Sequence, residues 1–342
     1  MAALTALDIQ DLVKTTLYDL GRLKFQNIAQ SLQDYEVFSH WFKKEKVSFD
    51  SGIGIQRTLM HKLSGAASHS GLTDTDDVNI ADVLSQLQVP WRLAKTSWGF
   101  IYQETLMNRG KSMILNVIEP RRADALISLV EEIENKCWAS PSSSNTTEPY
   151  GVPYWIVQNA TTGFNGGNPS GHTKTGGIDR DVVTNFKNYT FQYATVSKSD
   201  MVKQLRTARR KCKFKSPITI QDYRGGKGDR YRLYVNESTM SDIEDVGESQ
   251  NENLGRDIAS LDGTIVFKNH PIVWVPKLDE QSNNPVYGLD HSVFYPVCLA
   301  GDYLRETDAE HAPSQQNVFQ VHVFLSYNIV CVDPRRCFVG YV

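Results

Sequence analysis

Apolar residues alternate with polar ones through residues 47–63, where Val47, Phe49, Ile53, Ile55 and Leu59 stand among two glycines that loosen a helix, so the pattern predicts an extended strand. The next stretch, 64–77, is small, polar and turn-prone. A returning run then places Leu87, Val89, Trp91 and Leu93 between Gln86, Gln88, Pro90 and Arg92, which predicts a second strand. Pro90 has no N–H for a ladder, so this strand belongs to an edge or to a two-stranded element. At ~3.3 Å per residue each arm of such a hairpin reaches tens of ångströms. A hairpin that long predicts a neighbouring molecule for it to lie on.

A helical period follows. Ala123, Leu126, Ile127, Val130, Ile133 and Cys137 recur at three and four residues, with Arg121, Arg122, Glu131, Glu132 and Glu134 on the other face. An aspartate at Val130 is therefore expected to unfold the subunit. Pro120 suits a first turn, or a bend in a helix that starts near Ser112. Upstream, residues 1–40 carry short helical patterns (Leu12, Leu17, Leu20, Leu23) with balanced charges, and read either as an arm or as a short helical part of the same core. Residues 139–185 show one strand-like run, PYWIVQNA, in a long Gly- and Ser-rich loop, which in a compact domain is functional or an insertion. A second helix is expected at 199–210, with Met201, Leu205 and Ala208 inward, and a third from a capping box at Ser241 and Glu244. Strand patterns fall at 218–223, 231–235, 263–267, 272–275, 293–299 and 318–332, giving a chain of the α+β class without an internal repeat.

With 342 residues, 40% hydrophobic and 10% aromatic, the chain has material for a real core. Its net charge of -3 argues against a generally basic surface for nucleic acid. One local basic cluster stands out: Lys203, Arg206, Arg209, Arg210, Lys211, Lys213 and Lys215. It reads as an inner surface facing nucleic acid, as a solvated helix face, or as charges that meet Asp242, Glu244, Asp245 and Glu248 of another subunit. Only Phe214 is interleaved for base stacking, which argues against sequence-specific binding. The five scattered cysteines form no CxxC pair and read as reduced thiols. Residues 1–16 lack a secretory signal pattern, and the run 318–332, interrupted by Gln320, His322, Ser326 and Asn328, reads as a strand and not as a membrane span. No membrane partner is expected.

Enzymatic motifs are weak. Gly166, Gly171, His172 and Thr173 approach a phosphate-binding loop without its lysine or its following helix, so a solvent-exposed glycine-rich loop is expected there. Asp74, Asp76 and Asp77 lack the central glycine and closing glutamate of a calcium loop. Asp290–His291 and Glu310–His311 are isolated pairs. No catalytic, cofactor or metal residue is assigned.

In order and spacing the chain resembles the major capsid proteins of tailed bacteriophages, of the Hong Kong 97 type. KVSFDSGIGIQRTLMHKL and VLSQLQVPWRLAKTSWGFIYQETLMNRGK are similar to the arms of that family's E-loop hairpin, and RRADALISLVEEIENKCW to its spine helix. RLYVNESTMSDIED and LGRDIASLDGTIVFKNHPIVWVPKLD resemble its A-domain core. PVYGLDHSVFYPVCLAGDYLRE and NVFQVHVFLSYNIVCVDPRRCFVGYV resemble its C-terminal part. The resemblance implies an N-terminal arm (1–40), an E-loop hairpin with a flanking P-domain strand (41–100), a P-domain spine helix (101–150), a mixed α/β A-domain (151–300) with a loop insertion at 139–185, and C-terminal P-domain strands (301–342). It implies a structural protein that assembles into pentamers and hexamers of an icosahedral shell around a double-stranded DNA genome, made in the host cytoplasm and located in the virion. The partners it implies are other copies, a separate scaffolding protein, a portal, decoration proteins and non-specifically bound DNA. Lys62, Ser64, His69, Asp74 and Asp76 at the hairpin tip are then expected to touch an adjacent subunit, so deleting 51–82 should leave a foldable subunit that cannot assemble. Lys203, Arg206, Arg209, Arg210, Lys211 and Lys213 are a candidate inner surface. An encapsulin-like compartment of the same fold is the alternative, and a nucleotide-binding enzyme using the 166–173 loop a more distant one.

Overall fold

The computed structural model describes residues 34–62, 65, 69, 71, 83–103, 111–213, 230–248, 265–313 and 315–342, with the backbone alone at 111–118, 248 and 316. After a π-helical segment, Val37–Glu45, come β1 (Val47–Phe49), β2 (Gly54–Met60), β3 (Leu84–Pro90) and β4 (Arg92–Ile101). Helix α1 (Lys111–Cys137) runs through Pro120 without interruption. Then follow β5 (Tyr189–Gln192), α2 (Met201–Cys212), β6 (Tyr231–Val235), α3 (Glu237–Glu248), β7 (Val266–Phe267) and β8 (His270–Trp274). The C-terminal third holds β9 (Val286–Asp290), β10 (Phe294–Leu299), β11 (Arg305–Glu306), β12 (Glu310–Ala312), β13 (Gln315–Cys331) and β14 (Phe338–Tyr341). The expected N-terminal helical patterns and the strand at 218–223 lie outside the described residues.

β13 organises the first sheet. β4 pairs antiparallel along one edge from Val318 to Tyr327, while β10, β11 and β12 follow one another along the other, and β1 lies parallel to β10. Val321, Val323, Leu325, Tyr327 and Ile329 are buried at every second position, as a strand with one covered face requires. α1 packs on this sheet through Ala125, Leu129, Ile133 and Cys137. That stripe is rotated from the expected one. Ile133 and Cys137 are core positions, but Val130 is only half-buried, and Glu134, expected on the solvent face, is 3% exposed.

The second sheet has the order β5-β14-β9-β6-β8-β7. Tyr189, Phe191, Tyr231, Leu233 and Val286 face a cluster closed by α2 and α3, while Tyr234, Tyr287, Leu289 and Val339 join the main core on the other side. β13 and β14 therefore do not form one set of C-terminal strands: a 3-10 turn at Pro334–Arg336 separates them, and β14 enters the second sheet. Buried Arg336 pairs with buried Asp290 at the end of β9, which fixes that crossing.

Two local expectations change. PYWIVQNA holds a one-turn helix, Val152–Trp155, with Pro153 in its first turn where a missing N–H is harmless. α3 starts four residues before the expected box, because the Asn236 side chain accepts the Thr239 backbone N–H at 3.1 Å and caps it.

Candidate subunit-contact surfaces

The hairpin β2–β3 is laddered from Gly54 opposite Pro90 to Met60 opposite Leu84. Ile55, Leu87 and Val89 share its apolar face and are buried within the same subunit, whereas Gln56, Thr58, Gln86 and Gln88 take the other. The Gln86 side chain there donates to Gln56 across the strands at 3.1 Å. The base of the hairpin is thus seated on its own chain, which corrects the expectation that it cannot bury itself. At its inner end Trp91 donates to the Gly52 carbonyl, and Asn328 donates to the carbonyl of Pro90, which steers the chain into β4.

The seat is the 139–185 loop. Gln88 N–H donates to the Gly176 carbonyl at 2.8 Å, and the Asn185 side chain donates to the His61 carbonyl at 3.1 Å. Buried Arg180 holds the loop from inside: its guanidinium donates to the carbonyls of Trp155 (2.7 Å), Gly167 (2.9 Å) and Gly166 (3.3 Å) and to Asn188 Oδ1 (3.3 Å). Burial lowers its pKa to about 10, so it stays charged at neutral pH. This arrangement reverses what a phosphate cradle needs, because carbonyls, not amides, converge at Gly166 and Gly167. Gly166 and Pro169 are buried whereas Ser170, Gly171 and Thr173 are exposed, so the expected exposed loop is packed at its start and open to solvent at its end. Gly176 has φ +56°, and a Cβ there would lie 2.5 Å from Leu87 Cδ1 and 2.8 Å from Trp155 Cη2. Gly176→Val is expected to destabilise the subunit by about 2 kcal/mol and to make β2–β3 protease-sensitive, read by urea denaturation and limited proteolysis.

Apart from the Asn185 contact, the outer end of the hairpin is open among the described residues. Met60 and Leu84, the last laddered pair, are 59% and 56% exposed. Of the expected tip contacts, Lys62 and His69 are exposed, while Ser64, Asp74 and Asp76 lie outside the described residues. Below β2 opens a cleft of about 1030 Å³, lined by Lys46, Arg57, Lys62, Val183, Arg230 and Arg335 among others.

On α2, Lys203, Arg206, Arg210, Lys211 and Lys213 are exposed as expected. Arg209 is not part of that surface. It is 8% exposed, its guanidinium lies 3.8 Å over the Tyr231 ring, and Nη2 contacts His270 Nε2 at 2.9 Å. The spacing carried a signal for this, since Arg209 stands four residues after Leu205 on the inward stripe. On α3, Asp242, Glu244 and Asp245 are exposed.

A buried polar network, unmarked by any motif, ties the Val37–Glu45 segment to the body. Glu134 accepts the Val37 N–H at 2.9 Å and the Trp138 indole N–H at 3.0 Å. Trp41 donates to Tyr234 Oη at 2.8 Å, Tyr234 Oη meets His291 Nε2 at 2.8 Å, and Arg232 pairs with Glu36. Burial pushes the Glu134 carboxyl up to about 7 and raises Glu36, and it lowers His291 to about 3 and His40 to about 4. The raised Glu134 favours the folded state fully below its unfolded value of 4.5, and that contribution is lost as pH rises through about 7. The lowered histidines act in the opposite sense, losing stability as pH falls from 6.5. Glu134→Gln isolates the carboxyl: relative to the natural chain its stability should rise by about 3 kcal/mol between pH 4.5 and pH 7, measured by urea denaturation across that window. A pH-independent difference would show that the Glu134 carboxyl titrates alike in the folded and unfolded chain.

No family model matches the sequence, and no curated protein matches it. The structure, however, is similar over nearly its whole length to solved capsid subunits. A cyanophage A-1(L) capsid subunit gives a TM-score of 0.64 at 13% identity, covering 96% of this chain and 98% of the other. A capsid of a native GTA particle gives 0.60 at 9% identity with 95% of each covered. The SrpI encapsulin of Synechococcus elongatus PCC 7942 gives 0.53 at 9% identity, over 99% and 96%. The chain has the fold of the tailed-phage major capsid proteins. Among the described residues no helix is long and apolar enough to cross a membrane, and no group of three or more His, Cys, Asp or Glu is placed to hold a metal ion.

Proposed function

We propose that this chain is the major capsid protein of a tailed double-stranded DNA phage, assembling into the pentamers and hexamers of an icosahedral shell. The observation that carries the reading is the whole-chain likeness to capsid subunits, with almost nothing left over on either side. In this reading β2–β3 is the E-loop, α1 the spine helix, the first sheet the P-domain and the second the A-domain. The exposed Met60–Leu84 end and the tip beyond it, with Lys62, Ser64, His69, Asp74 and Asp76, then rest on an adjacent subunit. Many modest contacts of this kind hold a closed shell by avidity. A separate scaffolding protein, a portal and decoration proteins complete the particle, and packaged DNA meets its inner surface.

Negative-stain microscopy of the purified protein, expressed alone and with a scaffolding protein, tests this. Closed shells are expected in at least one preparation, and persistent monomers in both would refute the reading. Empty shells formed without scaffold around a co-purifying enzyme would favour an encapsulin-like compartment, which the SrpI likeness keeps in view.

A further inference from the structure

α2 and α3 cover the same face of the second sheet, and their exposed charges are opposite in sign. α2 packs over β5 and β14 at one end of the strand order, whereas α3 packs against β8 near the other. On α2, Lys203, Arg206 and Arg210 form one exposed stripe at spacings of three and four, flanked by Lys211. On α3, Asp242, Glu244 and Asp245 are exposed. Among the described residues none of these four cations has a carboxylate partner, and none of the three acids has a cationic one. Like charges so spaced weaken a helix slightly. The outer strand beside the acidic end also exposes apolar Val266, with Trp274 exposed on β8, while Phe164 is exposed beside Tyr189 at the basic end.

A surface that is basic at one end and acidic at the other cannot satisfy itself by two-fold pairing of like patches. Opposite ends can meet in an antiparallel two-fold pair or head to tail; in the capsomer of the capsid reading, where copies are related by rotation about one axis, the contact is head to tail and its repetition closes a ring. We propose that the α2 stripe of one copy docks on the α3 acidic face of the next copy around each capsomer. This deepens the capsid reading and rests on it for the ring. It also assigns the basic cluster to a protein partner in preference to packaged nucleic acid.

Charge reversal tests it. One variant carries Lys203→Glu, Arg206→Glu and Arg210→Glu, a second carries Asp242→Lys, Glu244→Lys and Asp245→Lys, and a third combines all six. All six side chains are exposed, so thermal unfolding should stay near that of the natural chain. Shell yield by sedimentation is expected to fall about tenfold in either three-site variant and to recover in the combined one. Mixing the two three-site variants restores every contact in an alternating six-membered ring but leaves one like-charged contact in any five-membered ring, so the mixture should give six-membered oligomers without closed shells. Three-site variants that assemble normally, or a combined variant that fails as they do, would overturn the proposal. So would basic-stripe reversal that leaves shells intact while reducing co-purifying nucleic acid, which would assign the stripe to the genome. If the natural chain formed no shells and the mixture still formed alternating oligomers, the contact would stand and the capsid reading would fall.

Discussion

Replacing residues 62–82 by an Asn-Gly turn should give a folded subunit that no longer forms shells. The ladder of β2 and β3 extends one step beyond Met60 and Leu84, with His61 N–H donating to the Val83 carbonyl at 3.0 Å. A two-residue turn can therefore join these strands without disturbing the pairing, and Asn-Gly supplies the positive φ such a turn needs. Ile55, Leu87 and Val89 keep their cover on the 139–185 loop, so thermal stability should change by less than about 1 kcal/mol. Removing 51–82 outright, the deletion the sequence pattern invites, is a poorer experiment. It strips β2 and exposes the buried Leu87 and Val89, so failure to assemble would be confounded with damage to the core. Sedimentation velocity of the turn-replaced chain, beside its unfolding curve, separates the two effects. Normal shells from that chain would refute the claim that the hairpin tip holds neighbours together.

The difference between these deletions shows what could and could not be read from the residues. Period-two patterns with one polar face were legible: β2, β3 and β13 were found from alternation, and β6 was bounded correctly at Tyr231 and Val235. Strands covered on both faces were legible only in part: β10 is buried at its first five positions and was found at 293–299 as an apolar run. β9 is buried at all five positions and β5 at three of four, so neither alternates, and both were missed. β14 was not read as a strand of its own; the resemblance placed its residues with the other C-terminal strands, and the buried Arg336–Asp290 pair that ties it to the second sheet joins residues far apart in sequence. The same holds at the contact surfaces. The charged stripe of α2 is a local pattern and was legible apart from Arg209, which finds its ring and histidine in β6 and β8. The seat of the hairpin depends on Arg180 gathering carbonyls from two separate parts, Trp155 and Gly166–Gly167, of a loop that has no period at all. Long-range polar contacts of this kind leave no spacing to read.

Helix α1 gives the sharpest contrast between pattern and packing, and it sets the last expected result: Ile133→Asp should prevent the subunit from folding, whereas Val130→Asp should be tolerated. Both positions belong to the stripe read from the sequence, but Ile133 is 1% exposed among Leu129, Cys137 and the β13 side chains of the main core, while Val130 is half-buried. An aspartate at 133 loses the apolar contacts of the isoleucine and brings in a carboxylate beside buried Glu134, already pushed up to about 7 by desolvation. A second acid there meets no cation and must stay protonated or tear open the packing, at about 4 kcal/mol or more, most of the margin of a typical domain. At position 130 the carboxylate can turn to water, so the loss should stay near 1 kcal/mol. Soluble yield and circular dichroism of the two variants, purified in parallel, measure this. A folded Ile133→Asp protein would mean that α1 does not lie on β13 through the face that the structure gives it.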